Sequence, residues 1–218
     1  MPITYHRFAG SSLQRLAALS DGVFAVAMTL LVHDLKAPSV PQRGQHPLWS
    51  AGSEHVLAHG LLHEVAPRLL PYGMSFLTLG IFWVGQQAQL ESFTRSTRAL
   101  TWIHLMFLLA VTLMPFSTAL LAEDTSYRLP MAVYWLNLFA LGAVLFVSLR
   151  YADRTGLMSE ETTEEMRTAL RRRIVVYQVL YALAALTCVI NMYLAIGLLV
   201  ALQLNSVIAP RIGVLDRA

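Results

Sequence analysis

The sequence predicts an all-α, polytopic membrane protein with six transmembrane helices per subunit. Three observations predict it. Hydrophobic residues make up 56% of the chain and charged residues 13%, about half the charged share of an ordinary soluble domain. Apolar segments of about 20 residues, enough for a helix to cross the hydrocarbon core, recur along the chain. The arginines flank these segments instead of forming a continuous stripe, which excludes a nucleic-acid surface. Mean hydropathy is +0.55. The single cysteine, Cys188, excludes an intrachain disulfide and is read as a small buried apolar residue.

The chain reads as one domain over residues 1–218, with spans at about 15–35, 70–90, 100–121, 131–149, 174–190 and 192–209. Residues 1–14 are polar, and Ser11 or Ser12 can cap the first helix. They lack the charged start and cleavage site of a signal peptide, so the first span is expected to stay in the mature protein. Pro38, Pro41, Gly44 and Pro47 then impose a loop. Residues 50–66 suit an amphipathic helix with His55, His59 and His63 on one face. Histidines at that spacing can share a metal. No cysteine is available here, so the stripe is read as facing solvent or headgroups, with no metal.

The second span opens with Pro71 in its first turn, where a missing N–H costs little. Pro115 is expected to kink the third span, with Ser117 or Thr118 partnering freed backbone groups. Glu160, Glu161, Glu164 and Glu165 precede Arg167, Arg171, Arg172 and Arg173. That order suits the helix dipole and i,i+4 pairing, and predicts a solvated extension of the fifth span. A tight break near Asn191 separates spans five and six, although one long kinked helix has a similar pattern. Pro210 ends the sixth.

Six spans place 12 of the 16 Lys and Arg residues on one side and four on the other. The positive-inside rule then puts both termini in the cytoplasm and the protein in the cell membrane. Five spans give a weaker asymmetry.

The first span carries the chemistry. Val26, Leu30 and His33 share one helical face, with Thr29 on its flank. If copies of this face surround an axis, Val26 and Leu30 form apolar rings that close a water path by dewetting. Lipid contact or core packing is the more ordinary reading of the same stripe. Ser20 and Asp21 lie at the start of the apolar stretch, where a carboxylate needs a partner. Arg15 is six residues away, poor intrahelical geometry. Gln86, Gln87, His104, Trp83 and Trp102 lie at matching depth, the tryptophans doubling as interface anchors. No phosphate loop, Cys-x-x-Cys, His-Glu-x-x-His or catalytic triad spacing is present, so no enzyme and no cofactor is expected. The Thr-Val-Gly-Tyr-Gly filter of ordinary potassium channels is absent as well.

Arg15-x-x-x-Leu19-Ser20-Asp21, followed by Gly22-Val23-Phe24-Ala25-Val26-Ala27-Met28-Thr29-Leu30, resembles the Arg-x-x-x-Phe-Ser-Asp signature of the endolysosomal potassium channels of the transmembrane protein 175 family and their prokaryotic relatives. The likeness continues in Tyr72-x-x-Ser75-Phe76, Gly80-x-x-Trp83, Trp102 and Pro115-Phe116-Ser117-Thr118-Ala119-Leu120, and more weakly in Tyr134-x-x-Asn137. The resemblance implies a homotetramer in the lipid bilayer whose first helices line a pore for K⁺, with proton conduction known in the wider family. By position Val26 matches the main constriction, Leu30 the next layer, His33 the third, and Thr29 the threonine beside the constriction. The resemblance also implies that Arg15, Ser20 and Asp21 tie the first helix to the second and third. Leu19 replaces the signature Phe, Gln86 and Gln87 stand where a His pair is usual, and His104 where Asn is usual. The span-three imidazole is a candidate substitute for the missing span-two one. A His33 ring would gain charge in mild acid and repel cations.

Two other functions are compatible with the residues. A proton-coupled or facilitative transporter would use Asp21, His33 and His104 as a relay, but residues 15–120 and 130–210 show no internal repeat. A non-conducting scaffold or embedded enzyme is the other, the enzyme disfavoured by the missing catalytic constellation.

Overall fold

The computed structural model describes residues 12–37, 55, 58–123 and 127–208. Among these stand seven α-helices: α1 Leu13–Leu31, α2 Ala66–Glu91, α3 Arg98–Thr112, α4 Met114–Glu123, α5 Arg128–Arg154, α6 Glu164–Leu186 and α7 Met192–Ile208. Ser12, Thr97 and Thr163 cap α1, α3 and α6, each hydroxyl accepting from the amide three residues on.

Seven helices replace the expected six because the third span is broken. Pro115 cannot donate, so α3 ends at Thr112 and α4 restarts at Met114. The Leu113 amide turns back to the Leu109 and Val111 carbonyls. The Ser117 and Thr118 hydroxyls donate to the Met114 carbonyl, at 3.0 and 2.7 Å. The expectation that these hydroxyls partner the backbone near Pro115 therefore holds only for Met114. The Asn137 side chain of α5 fills the break itself. With its amide oriented to satisfy donors and acceptors alike, its nitrogen donates to the Ala110 carbonyl (3.0 Å). Its oxygen accepts from the Met114 amide (3.2 Å). Those two groups would bond each other in an unbroken helix.

Among the described residues four helical segments are long and apolar enough to cross a membrane: Leu13–Leu31, Arg98–Glu123, Arg128–Arg154 and Glu164–Val189. Met192–Val207 is apolar but shorter. Helix α2 starts earlier than expected, so Pro71 lies inside it and Pro67 takes the first turn. A π turn, Leu61–Val65, leads into α2. Part of the expected 50–66 helix lies outside the described residues. The His59 and His63 rings stack with centroids 4.1 Å apart. Among the described residues no group of three or more His, Cys, Asp or Glu is placed to hold a metal.

The helices form a circuit in which α1 packs on α2 and α3, α3 on α5, α5 on α6, α6 on α7, and α7 back on α2. Phe24, Phe82 and Phe107 join α1, α2 and α3, with ring centroids 5.9 Å (Phe24–Phe107) and 6.4 Å (Phe82–Phe107) apart. At the arginine-rich end, Leu16, Leu90, Phe93, Leu100, Leu149 and Leu157 form a second cluster. There a single antiparallel bridge, Phe93 with Met158, clips the α2–α3 loop to the α5–α6 loop.

The break before α7 is as tight as expected. A 3₁₀ turn, Thr187–Val189, ends α6, and the Asn191 carboxamide accepts from the Tyr193 amide at 2.8 Å. Two helices are thereby separated where one kinked helix was the alternative. The acidic and basic residues of the α6 region pair across helices as well as along one. Arg167 and Arg171 reach Asp153 of α5 at 3.3 and 3.2 Å, and both also meet Glu164.

Candidate pore helix and its anchoring network

Helix α1 has two faces. Leu16, Ser20, Phe24, Ala27 and Leu31 are buried against the rest of the bundle. Val26, Thr29, Leu30 and His33 lie on the opposite side and are exposed, Val26 at 58% and Leu30 at 51%. This division follows the 3.6-residue period. His33 lies beyond the α-helix, in the 3₁₀ turn Val32–Asp34, because α1 ends at Leu31 and not near residue 35. The Thr29 hydroxyl donates to the Val26 carbonyl at 2.9 Å, so its polar group is satisfied within the helix. A shallow apolar groove of about 430 Å³ runs along Leu19, Gly22, Val26 and Leu30 to Thr112 of α3.

Ser20 and Asp21 are adjacent, so they point about 100° apart. Each meets a different set of partners. Trp83 and Gln87 are four residues apart on one face of α2. Both donate to the same Asp21 carboxylate oxygen, each at 2.8 Å. Trp83 is thus a hydrogen-bond donor, while Trp102 is 55% exposed and takes no part.

Gln86 points the other way, into the core. Its carboxamide nitrogen donates to the Ser20 hydroxyl (2.9 Å) and to Nδ1 of His104 (3.1 Å). An amide nitrogen only donates, so Nδ1 must accept, and the His104 proton sits on Nε2. Nε2 in turn donates to the Ser148 hydroxyl of α5 at 3.0 Å. Ser20, Gln86 and His104 are fully buried and Ser148 nearly so. Phe93 meets the imidazole edge-on, 6.4 Å between centroids. One chain of hydrogen bonds therefore crosses α1, α2, α3 and α5. Buried polar groups are costly unless paired, and here most of the pairing is across helices.

Two residues of the signature stand outside this network. Arg15 is exposed and makes no side-chain hydrogen bond or ion pair among the described residues, so within the chain it does not tie α1 to α2 or α3. Leu19 is 48% exposed. Each is rotated well away from Ser20, and the inward position one turn earlier belongs to Leu16. Nor do Asp21, His33 and His104 form one relay. Asp21 and His104 have separate partners, and His33 lies 12 residues beyond Asp21, about 18 Å of helix rise. Ser148 escaped the sequence reading. Its one signal was a hydroxyl within a strongly apolar span.

A second polar layer lies nearer the other end. The Tyr134 hydroxyl is 3.1 Å from that of Thr78 and accepts from Ser75 at 3.4 Å. The Thr118 and Ser75 hydroxyls are 2.7 Å apart, and Gln203 donates to Thr78 at 2.6 Å. It joins α2, α4, α5 and α7.

A family model described as endosomal/lysosomal potassium channel TMEM175 matches residues 15–115. The crystal structure of a lysosomal potassium-selective channel TMEM175 homolog from Chamaesiphon minutus superposes with a TM-score of 0.72 and 26% identity, covering 89% of this chain and 96% of that one. The chain is similar to TMEM175 channels in sequence over residues 15–115 and in fold over most of its length. A potassium channel of Streptomyces collinus is 35% identical over 146 residues, 65% of either chain. A potassium channel of Chamaesiphon minutus is 29% identical over 192 residues, 86% of this chain and 89% of that one. The human endosomal/lysosomal proton channel TMEM175 is 33% identical over 89 residues, 41% of this chain and 17% of its own length. The residues matched by the TMEM175 model hold Ser20, Gln86 and His104 of the buried network but not Ser148.

Proposed function

We propose that this protein is a potassium-permeable cation channel, a homotetramer in which copies of α1 surround the pore. Val26 and Leu30 form the apolar rings of a gate that opens by wetting and closes by dewetting. Thr29 lines the path beside them, and His33 forms a third layer. No pore loop is needed, because the four helices themselves bound the conduit. The single observation that carries this is the two-sidedness of α1. Its inward side is held to α2 through Ser20 and Asp21, with Gln86 linking Ser20 on to His104 of α3, and its outward face leaves Val26, Thr29 and Leu30 exposed among the described residues.

Residues 1–218 form one channel domain with six crossing units, α3 and α4 counting as one. Both termini face the cytoplasm and the protein is multi-pass in the cell membrane. The potassium-channel names of the bacterial relatives support K⁺ as the permeant ion. The proton-channel name of the human relative supports protons as a second one.

Liposomes containing the purified protein test this by K⁺ flux. Val26→Gly or Val26→Asn should raise basal flux by widening or wetting the ring, and Val26→Phe should lower it. Flux that is absent, or indifferent to all three, overturns the proposal. So does a symmetric assembly with Val26 against lipid instead of near its axis.

A further inference from the structure

A cavity of about 540 Å³ opens between α2, α5, α6 and α7, away from the exposed face of α1. Its walls are apolar, from Phe76, Ile81 and Val84 of α2, Leu145 of α5, Ile174 of α6 and Val207 of α7. Phe76 and Val84 are 45% and 60% exposed, so it is open to the side. Along α2 it runs from Phe76 to Gln89, a helix rise of about 20 Å against about 15 Å for the hydrocarbon of one leaflet. Its volume is that of a site for a drug-sized or larger apolar group.

The charge at its mouth is of one sign. Arg173 lines the cavity at the arginine-rich end, its guanidinium 6.0 Å from the Tyr177 ring centre. The neighbouring acids are already engaged, since Asp153 and Glu164 bond Arg167 and Arg171. Among the described residues no carboxylate pairs with Arg173. An apolar slot as deep as one leaflet, with an arginine at the headgroup level, matches an acyl chain below and a phosphate above.

We propose that this cavity is a binding site for an anionic phospholipid of the cytoplasmic leaflet, with an acyl chain in the slot and the headgroup phosphate on Arg173. The leaflet assignment rests on the topology given under the proposed function. The anionic surface of that leaflet supplies the ligand. Trp83 lines the cavity and also donates to Asp21 of α1, so the occupant touches a residue that holds the pore helix.

Native mass spectrometry of the detergent-purified protein tests this, with added phosphatidylglycerol or phosphatidylethanolamine of identical chains. Phosphatidylglycerol should be retained in preference. Arg173→Gln should lower its retention about fivefold and that of phosphatidylethanolamine, whose ammonium offsets its phosphate, by less, while Arg173→Lys keeps the preference. Gly85→Leu should displace both lipids by filling the slot, since a Cβ at Gly85 meets nothing within 4 Å and the fold should survive. Equal retention of phosphatidylglycerol by wild type and Arg173→Gln overturns the proposal. Retention of free fatty acid alone does too, and so does a neighbouring copy's helix seated in the slot. Loss of K⁺ flux with selective lipid retention intact overturns the channel function and supports the lipid site.

Discussion

Replacing His104 with Leu should destabilise the bundle in a way that a second substitution partly reverses. In the native network Gln86 donates to His104 and His104 donates to Ser148, all buried. His104→Leu leaves one Gln86 N–H and the Ser148 hydroxyl without partners. Each buried orphan costs about 1–3 kcal/mol. Loss of the edge contact with Phe93 adds up to about 1 kcal/mol. A total near 4 kcal/mol corresponds to a fall of about 10 °C in apparent Tm for a chain of this size. Ser148→Ala orphans only the imidazole N–H, about 1–3 kcal/mol. In the double variant the Ser148 orphan has gone with its hydroxyl, so only the Gln86 N–H remains unpaired. The double variant should therefore melt above His104→Leu by the Ser148 orphan, about 1–3 kcal/mol, and fall short of the additive sum by that and the imidazole orphan together, about 2–6 kcal/mol. Thermal scans of detergent-solubilised protein, read as the surviving monodisperse fraction on size exclusion, measure all four corners. His104→Asn, which keeps a donor and an acceptor, should fall between wild type and His104→Leu. Losses that simply add in the double variant would refute the hydrogen-bond chain and leave His104 as packing alone.

Three further outcomes follow from the geometry. Asn137→Ala should expose the Ala110 carbonyl and the Met114 amide as orphans at the α3–α4 break, at about 1–3 kcal/mol each, read by the same thermal scan. Gly142→Leu should cost about 1–3 kcal/mol by overpacking, because even a Cβ there overlaps the Gln178 side chain and displaces its bond to the Leu138 carbonyl. Asp21→Ala and Trp83→Phe should each cost about 0.5–1.5 kcal/mol and be less than additive together, with Asp21→Asn milder because it keeps an acceptor oxygen. Thermal scans that rank Asp21→Asn below Asp21→Ala would contradict that bond.

Much of this was legible in order along the chain. Ser12 caps α1, Pro115 interrupts the third span, Asn191 starts α7 and the face carrying Val26 and Leu30 is separate from the one carrying Ser20. All of these are local. A cap, a missing N–H and a 3.6-residue period act within one or two turns, so residue identity and spacing suffice. The candidate partners of Ser20 and Asp21 were also legible, as polar side chains in an apolar setting. Their assignment was not. Gln86 and Gln87 are neighbours of the same type, and nothing local distinguishes the one that serves Ser20 from the one that serves Asp21.

The rotation of α2 against α1 makes that choice, turning Trp83 and Gln87 to the carboxylate and Gln86 to the core. The axial offset of α5 against α3 likewise decides that Ser148 ends the chain of hydrogen bonds, and that Asn137 fills the break at Leu113. The exclusion of Arg15 and Leu19 has the same origin, since the inward arc of α1 is narrow and Leu16 occupies it at that level. Sequence by itself determined which residues become helical and which side of each helix is apolar, because those depend on the chain's own period. Which polar group meets which was left to tertiary structure, because a hydrogen bond needs its atoms within about 3 Å and only the relative turn and slide of packed helices sets that distance.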